Sequence, residues 1–303
     1  MGCWADGPSD VRALRITQLN VGSLLEPGWA ERRHEVVAWL RRLQADVVCL
    51  EEVWEDGTNE NTAGWLVAEA AELRYHHVFG GAPFDAALWP DPSMRFGSAV
   101  LSRWPIEESA YHRLPVIRGE EPFVDGVPWE LLHCRTAGLD VFACHLAPAP
   151  THGLHRRRQV VAIDELVRSA RGDRDVLLGG RHHREAMPPI LCGDFNAEPD
   201  SDEIRFLCGL TPLDGRTTFF QDAWRVAGDG PGLTQDWRAN PIAAAMNVHR
   251  KRIDYVFVGD PFQRAGGIGR VLRAEPAFHQ PLTGVLASDH AGLVVDIAWP
   301  TRP

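Results

Sequence analysis

The 303-residue sequence contains a single lysine, Lys251, and no excess of positive charge. Its 41 acidic residues outnumber its 31 basic ones, which gives a formal net charge of −10 and an isoelectric point near 5.7. Proteins that hold nucleic acid mainly through its phosphates usually present a basic face. The charge balance therefore argues against a dedicated DNA-binding protein. A local arginine patch or a bound metal ion could still supply positive charge that the whole-chain sum hides.

Other absences narrow the class of protein further. The six cysteines form no CxxC pair, and most lie in apolar runs such as those around Cys49 and Cys192, which predicts buried free thiols. No apolar run approaches ~18 residues, so no membrane span is predicted. The N-terminus is polar and glycine-rich, unlike a signal peptide. We therefore expect a cytoplasmic protein.

The chain also lacks a Ser/Gly-rich linker, an internal repeat and a low-complexity tract. With 45% hydrophobic and 24% charged residues, its composition is that of an ordinary globular protein with a sizeable core. We predict a short flexible lead over residues 1–12 and a single domain over residues 13–300. The sequence does not predict an oligomeric state.

Hydrophobic periodicity predicts strands that partly alternate with helices. Strands are expected at residues 14–21, 47–50, 97–101, 176–178, 190–192, 253–258 and 293–297, with a strand pair over 130–145. Helices are expected at 31–44, 63–73 and 156–170, and a short one should begin at 200–203. Residues 113–127 and 179–189 are expected to be loops. Because several strands come in consecutive pairs, we favour packed sheets with helices outside over a purely parallel doubly wound sheet.

Acidic, amide and imidazole side chains recur where the apolar strands end. They are Asn20, Glu52, Asp194, Asn196, Asp254, Asp289 and His290. Side chains at strand ends are well placed to converge on one edge of a sheet, and oxygen ligands of this kind suit Mg²⁺ or Mn²⁺. Taken singly, each has a plainer explanation, since such an aspartate often caps a turn and His145 could be a core histidine.

In their order along the chain, these motifs resemble the series found in the endonuclease/exonuclease/phosphatase superfamily. The segments are LNVGS, DVVCLEEVW, FGSAVLSRWPI, ACHLA, CGDFNAEPDS, KRIDYVFV and ASDHAGL, of which GDFN and SDH are the most specific. They extend over residues 14–298, nearly the whole chain. The resemblance implies a metal-dependent phosphoric ester hydrolase. It also implies an α/β fold of the DNase I-like type, a four-layer α/β/β/α sandwich in which helices flank two packed mixed β-sheets.

The resemblance further implies a metal-binding side of the site. Glu52 would be the principal ligand of Mg²⁺, with Asn20 beside it and Asp289 completing the set; Mn²⁺ could substitute. Many members have glutamine immediately before the metal-binding glutamate, whereas this chain has Glu51. The extra carboxylate either tightens metal binding or is a neutral variation, and we favour the second reading.

The catalytic side follows from the same resemblance. Asp194 would orient or deprotonate the attacking water, and Asn196 would contact the phosphate or a second metal. His290 and His145 would face the phosphate, and Asp254 would hydrogen-bond His290 and favour its charged form. These groups could support attack by water on a phosphoester without a covalent intermediate.

The substrate is less well defined by the sequence. Arg156 could reach an anionic substrate, and Trp54 and Phe96 could line a pocket for a base, sugar or lipid, although an arginine in a helix is often merely solvated and aromatic residues usually belong to the core. GDFNAEPDS followed by RIDYVF looks most like bacterial metal-dependent hydrolases of undefined substrate, a group adjoining sphingomyelinase-like enzymes. We therefore expect a small-molecule or lipid-like phosphoester as substrate. The alternatives are a nuclease acting on DNA or RNA and, more remotely, a non-catalytic relative that only binds a partner.

Overall fold

The computed structural model describes residues 11–58, 60–89, 91–119, 121–172, 186–246, 249–262 and 264–300. The predicted strand at 176–178 and most of the predicted loop at 179–189 lie outside these residues, as do residues 1–10 of the predicted lead. The first strand begins at Val11, two residues inside that lead, and pairs Val11 with Pro300.

Two six-stranded mixed sheets form the centre of the fold. The first sheet has the order β11-β12-β1-β2-β4-β3 and contains β1 (Val11–Asn20), β2 (Val47–Glu55), β3 (His76–Pro83), β4 (Arg95–Ser102), β11 (Val271–Ala277) and β12 (Gly292–Pro300). The second has the order β5-β6-β7-β8-β10-β9 and contains β5 (Ile106–Arg113), β6 (Glu130–Thr136), β7 (Leu139–His145), β8 (Ile190–Asp194), β9 (Phe220–Asp222) and β10 (Asp254–Gly259).

Helices cover the outer faces of both sheets. In the described part of the chain they are α1 (Trp29–Leu43), α2 (Thr62–Glu69), α3 (Pro122–Gly126), α4 (Gly153–Arg171), α5 (Asp202–Leu207), α6 (Ala223–Ala227) and α7 (Pro241–Ala245). The buried faces of α1 and α2 pack on the first sheet, as Leu40 and Leu66 do beside Leu50. Those of α4 and α5 pack on the second, as Ile163 and Ile204 do. The predicted four-layer sandwich is therefore confirmed.

A third cluster of apolar side chains lies between the two sheets. It includes Ile16 and Cys49 from the first sheet and Val141, Cys192 and Val256 from the second. The cysteines at positions 49, 134, 144, 192 and 208 are buried free thiols, as predicted. No helix in the described part of the chain combines the length and hydrophobicity needed to cross a lipid bilayer.

Four strands were not predicted from the sequence, and all lie at the edges of the sheets: β3, β5, β9 and β11. The predicted loop at 113–127 contains the short helix α3. The second predicted helix is shorter than expected, since α2 ends at Glu69 and a separate 3-10 turn covers Ala71–Leu73.

Each sheet has one parallel pair of strands at its centre, β1 with β2 and β7 with β8. Parallel strands end at the same edge of a sheet, so Asn20 lies opposite Glu51 and His145 lies opposite Asp194. β10 runs antiparallel to β8 and therefore begins at this edge, with Asp254 opposite Asp194. β12 runs antiparallel to β1, which brings the segment just before it to the same end of the molecule.

Candidate active site

Strand alternation directs four of the predicted site residues into the space between the sheets. Successive side chains of a strand point to opposite faces. On β8, Ile190 and Cys192 belong to the inter-sheet core, and Asp194 is the next residue on that face. The same alternation puts Asn20 of β1, His145 of β7 and Asp254 of β10 on the face that points between the sheets. All four are at least nine-tenths buried, so the site closes one end of the inter-sheet layer.

A β-bulge places the fifth, Glu52. Leu50 pairs with Ala99 and Val53 pairs with Gly97, so two glutamates on β2 oppose one residue on β4. Glu52 adopts the left-handed backbone conformation, with φ 57°, and its Oε1 accepts a hydrogen bond from Asn20 Nδ2 at 3.0 Å. A bulge of this kind re-aims a side chain that plain alternation would send to the other face. The strained backbone thus delivers a carboxylate to the site.

Asp194 is the hub of the cluster. Its Oδ2 accepts a hydrogen bond from Asn20 Nδ2 at 3.2 Å and lies 3.6 Å from His145 Nε2 and 3.9 Å from His290 Nε2. Burial, reinforced by the nearby charge of Asp254, raises the pKa of Asp194. A carboxylate between two imidazoles is well placed to orient a small polar molecule such as water.

Asn196 and His145 form one wall of the site. Asn196 has φ 48°, and its backbone N–H donates to Asp194 Oδ1 at 2.8 Å. Its side-chain Nδ2 donates to Leu146 O at 3.0 Å and lies 3.1 Å from His145 Nε2. Burial lowers the pKa of His145, which favours a neutral imidazole.

His290 has the opposite electrostatic environment. Its Nδ1 lies 2.7 Å from Asp254 Oδ2, and Asp254 Oδ1 accepts a hydrogen bond from Gln18 Nε2 at 2.9 Å. Burial lowers the pKa of His290, but the carboxylates of Asp254 and Asp289 outweigh it and hold the pKa well above its usual value. The two histidines are therefore driven toward different protonation states by their surroundings.

Three residues that the sequence did not single out complete the site. Gln18 bridges the sheets, since its Nε2 also donates to Glu51 Oε2 at 2.7 Å. Gln235 Nε2 donates to Asp289 Oδ2 at 2.7 Å. Glu26 Oε2 accepts the backbone N–H of Asp289 at 3.2 Å. No local pattern could have found them, because each acquires its role through a contact with a distant segment.

Glu26 adds a further carboxyl group on the side of Asp289. It is buried beside Arg32, whose NH1 lies 3.3 Å from Glu26 Oε2. Burial is the main reason that the pKa of Glu26 is raised to about 9, and both the hydrogen bond to Asp289 and the negative charge of Asp289 raise it further. Burial, with a further contribution from Asp289, likewise raises the pKa of Glu52 to about 7. Several acidic groups are thus crowded where a cation would be favourable.

Two sets of side chains could hold that cation. Among the described residues, Asp194, Asp254 and His290 offer ligand atoms within 4.8 Å of one another. Both oxygens of Asp254 already accept hydrogen bonds from the chain, which makes Asp254 a support for His290 rather than a free ligand. In the other set, Glu52 and Asp289, the oxygens of Asp289 also accept hydrogen bonds, from Gln235 and Ser288, but Oε2 of Glu52 has no donor among the described residues. A ligand set made of carboxylate oxygens fits a hard divalent ion such as Mg²⁺ better than a set that includes an imidazole.

Arg156 faces the interior of the protein. Its Nε donates to Glu203 Oε1 at 3.1 Å, and its NH1 donates to the carbonyl oxygen of Ala147 at 2.9 Å. Arg156 and Glu203 are both buried. The guanidinium fixes the loop after β7 to α5, and this geometry lends no support to the predicted contact with substrate.

Trp54 and Phe96 lie beneath the site instead of lining an open pocket. They are 2% and 4% exposed, and their ring centroids are 5.2 Å apart. Phe96 in turn contacts the ring of His145, with 6.1 Å between centroids. Phe96 thus packs against His145, the candidate catalytic histidine, and Trp54 packs behind Phe96.

The sequence profile of the Endonuclease/Exonuclease/phosphatase family matches residues 17–290, which include every residue of the cluster described above. The chain belongs to this family. Members of the family are phosphoester hydrolases and generally use a divalent metal ion, so the resemblance noted from the motifs is confirmed at this level. No curated protein sequence matches the chain.

Solved structures of family proteins share the fold. An endonuclease/exonuclease/phosphatase from Beutenbergia cavernae DSM 12333 superposes with a TM-score of 0.68 and 22% identity, covering 95% of this chain and 72% of its own. TDP2 from D. rerio, complexed with single-strand DNA product, gives 0.66 and 19%, covering 94% and 98%. The human Nocturnin catalytic domain with bound sulfate gives 0.62 and 19%, covering 95% and 94%. At these identities the likeness shows the fold alone.

The structure also explains how the family site accommodates Glu51. This side chain is fully buried, and burial raises its pKa well above the usual value. A protonated, neutral carboxyl group resembles a carboxamide in having both a donor and an acceptor of hydrogen bonds. Glu51 therefore resembles the glutamine that many members have at this position, in line with a neutral variation.

Proposed function

We propose that this protein is a Mg²⁺-dependent phosphoesterase that hydrolyses a small-molecule or lipid-like phosphoester. The observation that supports the proposal best is the convergence of Glu52, Asp194, Asp289 and two histidines on one end of the inter-sheet layer. A phosphodiester is anionic and repels nucleophiles. Its hydrolysis needs positive charge near the non-bridging oxygens and an aligned water, and this group of side chains can supply both.

The metal-binding residues in this proposal are Glu52 and Asp289, with Asn20 beside them. A bound divalent ion supplies charge neutralisation at the phosphoryl oxygens and polarises the scissile ester. Asn20 orients Glu52 through the 3.0 Å hydrogen bond to its Oε1, and Gln235 orients Asp289. Mn²⁺ is expected to replace Mg²⁺, since both favour oxygen ligands.

The remaining residues act on the water and the phosphate. Asp194 Oδ2 orients the attacking water and accepts its proton. His290, held by Asp254, donates from Nε2 to a non-bridging oxygen, and His145, whose Nε2 is also near Asp194 Oδ2, faces the phosphate as well. Asn196 contributes its amide group to the same oxygens. The attack is in line, and the leaving alkoxide or phenoxide departs on the side away from the water.

Hydrolysis of activated phosphoesters tests this proposal. Purified protein with Mg²⁺ should hydrolyse bis(p-nitrophenyl) phosphate or p-nitrophenyl phosphate, and Asp194→Asn should lose that activity. Asp200→Asn, which changes an exposed aspartate six residues further along the chain, serves as the matched control and should be unaffected. Equal rates for wild type and Asp194→Asn would refute the assignment.

A nuclease remains the second candidate because TDP2 from D. rerio, with which this chain shares its fold, was solved with a single-strand DNA product. The net charge of −10 weighs against long nucleic acid substrates. Nicking of supercoiled plasmid in Mg²⁺, abolished by EDTA and by Asp194→Asn, would favour the nuclease. A non-catalytic relative would show neither activity, and a thermal melt unchanged by Mg²⁺ would support that reading.

A further inference from the structure

A stack of aromatic rings extends from His145 to the protein surface. Phe96 contacts His145, Trp54 contacts Phe96, and Phe84 stacks on Trp54 with 5.3 Å between centroids. Trp89 lies against Trp54 at 5.5 Å. Trp54 and Phe96 are buried, whereas Trp89 is 42% exposed. The stack thus ends in a large apolar ring that is open to solvent and supported from below.

A second aromatic path leaves His145 through Trp129. The Trp129 ring meets His145 edge-on at 5.4 Å, and Phe123 lies 6.4 Å from Trp129. Phe123 is 45% exposed. The loop that contains Trp89 is attached to α3, since the backbone N–H of Asp85 donates to Gly126 O at 2.8 Å. Both exposed rings therefore lie on the His145 side of the site, on two segments that contact each other.

The two segments that carry these rings contain acidic residues but no basic ones, although Arg95 and Arg118 directly flank them. The loop of residues 84–94 contains Asp85 and Asp91 but neither lysine nor arginine. The segment of residues 119–127 contains three acidic residues and likewise no basic one. The acidic residues of these segments disfavour a chain of phosphates, whereas an uncharged apolar group would gain from burial against the rings.

We propose that Trp89 and Phe123, together called the aromatic shelf, bind an uncharged apolar substituent of the substrate phosphoester. This proposal rests on the phosphoesterase function proposed above and specifies the group attached to phosphorus. Ring contacts link the shelf to His145, through Trp129 for Phe123 and through Trp54 and Phe96 for Trp89. In this proposal the substituent lies against the shelf while the phosphate occupies the site. An aryl ring and an alkyl chain share the required chemistry, and the substrates tested distinguish between them.

The test uses diesters with a common p-nitrophenyl leaving group and a second substituent that is methyl, phenyl, octyl or thymidine 5′-yl. In each case water attacks phosphorus, the bond to the p-nitrophenyl oxygen breaks, and the second substituent stays on the phosphate. Wild type should prefer phenyl or octyl to methyl by about 10-fold in kcat/KM, because burial of apolar surface is favourable. Trp89→Ala and Phe123→Ala should each reduce this preference about threefold or more and leave the methyl diester within about twofold.

Phe262→Ala is the matched control, since Phe262 is an exposed ring that follows the far end of β10. It should leave every rate unchanged. Calorimetry with phenylphosphonate and methylphosphonate, which are not hydrolysed, reports the same preference without turnover. If wild type binds both phosphonates equally, or if the shelf variants keep the full preference, the shelf proposal is overturned.

Preferential loss of the thymidine diester in Trp89→Ala would also overturn it, in favour of a stacking surface for a base. Failure to hydrolyse any diester or monoester would instead refute the proposed function. In that case the phosphonate preference would still report on the shelf, so the two failures are distinguishable.

Discussion

Replacing Asp254 by asparagine distinguishes two possible roles of this residue, as a ligand of the metal or as the hydrogen-bond partner of His290. Asp254 Oδ2 lies 2.7 Å from His290 Nδ1, and the substitution keeps the shape of the side chain while it removes the charge. A hydrogen bond to a charged group contributes about 1.5–3 kcal/mol. Because 1.36 kcal/mol corresponds to a factor of ten in rate, its loss should lower kcat by about 10- to 150-fold.

The surrounding residues can accommodate the new amide. Gln18 Nε2 donates to Asp254 Oδ1 at 2.9 Å, and Gln18 Oε1 is buried without a partner among the described residues. A flip of the Gln18 amide would let that oxygen accept a hydrogen bond from the introduced NH₂ group. Burial raises the pKa of Glu51 and so favours its protonated form, which could then donate to the same oxygen. We therefore expect the variant to fold.

The assay compares kcat, Mn²⁺ affinity by calorimetry and melting temperature in wild type and Asp254→Asn. Metal affinity should stay within about threefold if Asp254 only supports His290, because it then makes no bond to the metal. Asp296→Asn is the matched control: Asp296 also accepts a hydrogen bond from a cationic group, Arg15 Nε at 2.8 Å, but on the part of β12 remote from the site. A large loss of Mn²⁺ affinity would show that Asp254 is a ligand. An unchanged kcat would refute its role behind His290.

Three further substitutions test the electrostatics of the buried acids. Glu52→Gln should abolish stabilisation by Mg²⁺. In EDTA, the pKa of Glu52 is raised from 4.5 to about 7, so the wild type should lose on the order of 3 kcal/mol of unfolding free energy as the pH rises through this range. Urea melts at pH 5 and pH 8 should show this loss in the wild type and not in the variant. Glu26→Gln should weaken Mn²⁺ binding by about tenfold in calorimetry, as expected for a group that supports a ligand, and an unchanged affinity would exclude Glu26 from the metal side. Burial raises the pKa of Glu130, so Glu130→Gln should become more stable than wild type as pH rises, and parallel pH profiles of the two proteins would contradict this.

The strands that the sequence identified are those with strong hydrophobic patterns. β8 and β10 are buried along their whole length, and their apolar runs stand out from the flanking polar residues. The polar residues at the ends of such strands indicated the site. The alternation of side chains along a strand, and the residue at which its apolar run ends, can both be read from a sequence. Their order along the chain then identified the family.

The missed strands lack that pattern. β5 has a mostly exposed face and the sequence IEESAYHR, β3 and β11 contain glycine or proline, and β9 has only three residues. Edge strands are half solvated, so their composition differs little from that of loops. Glu26, Gln18 and Gln235 were missed for a different reason, since their partners are 33 to 263 residues away along the chain.

The site also shows why its geometry could not be deduced from its composition. Asn196 has a positive φ, as asparagine tolerates, but Glu52 has one too, and for such a residue this conformation costs about 1–2 kcal/mol. The bulge in β2 imposes it, and the packed core on both sides of β2 holds the bulge in place. The same packing buries Glu52 near Asp289, so its charge is disfavoured without a cation, first by burial and then by the neighbouring carboxylate, although the hydrogen bond from Asn20 acts in the opposite direction. Backbone strain and repulsion between carboxylates therefore act on the same residue, and a bound divalent ion would relieve the second while leaving the first to fix the direction of the ligand.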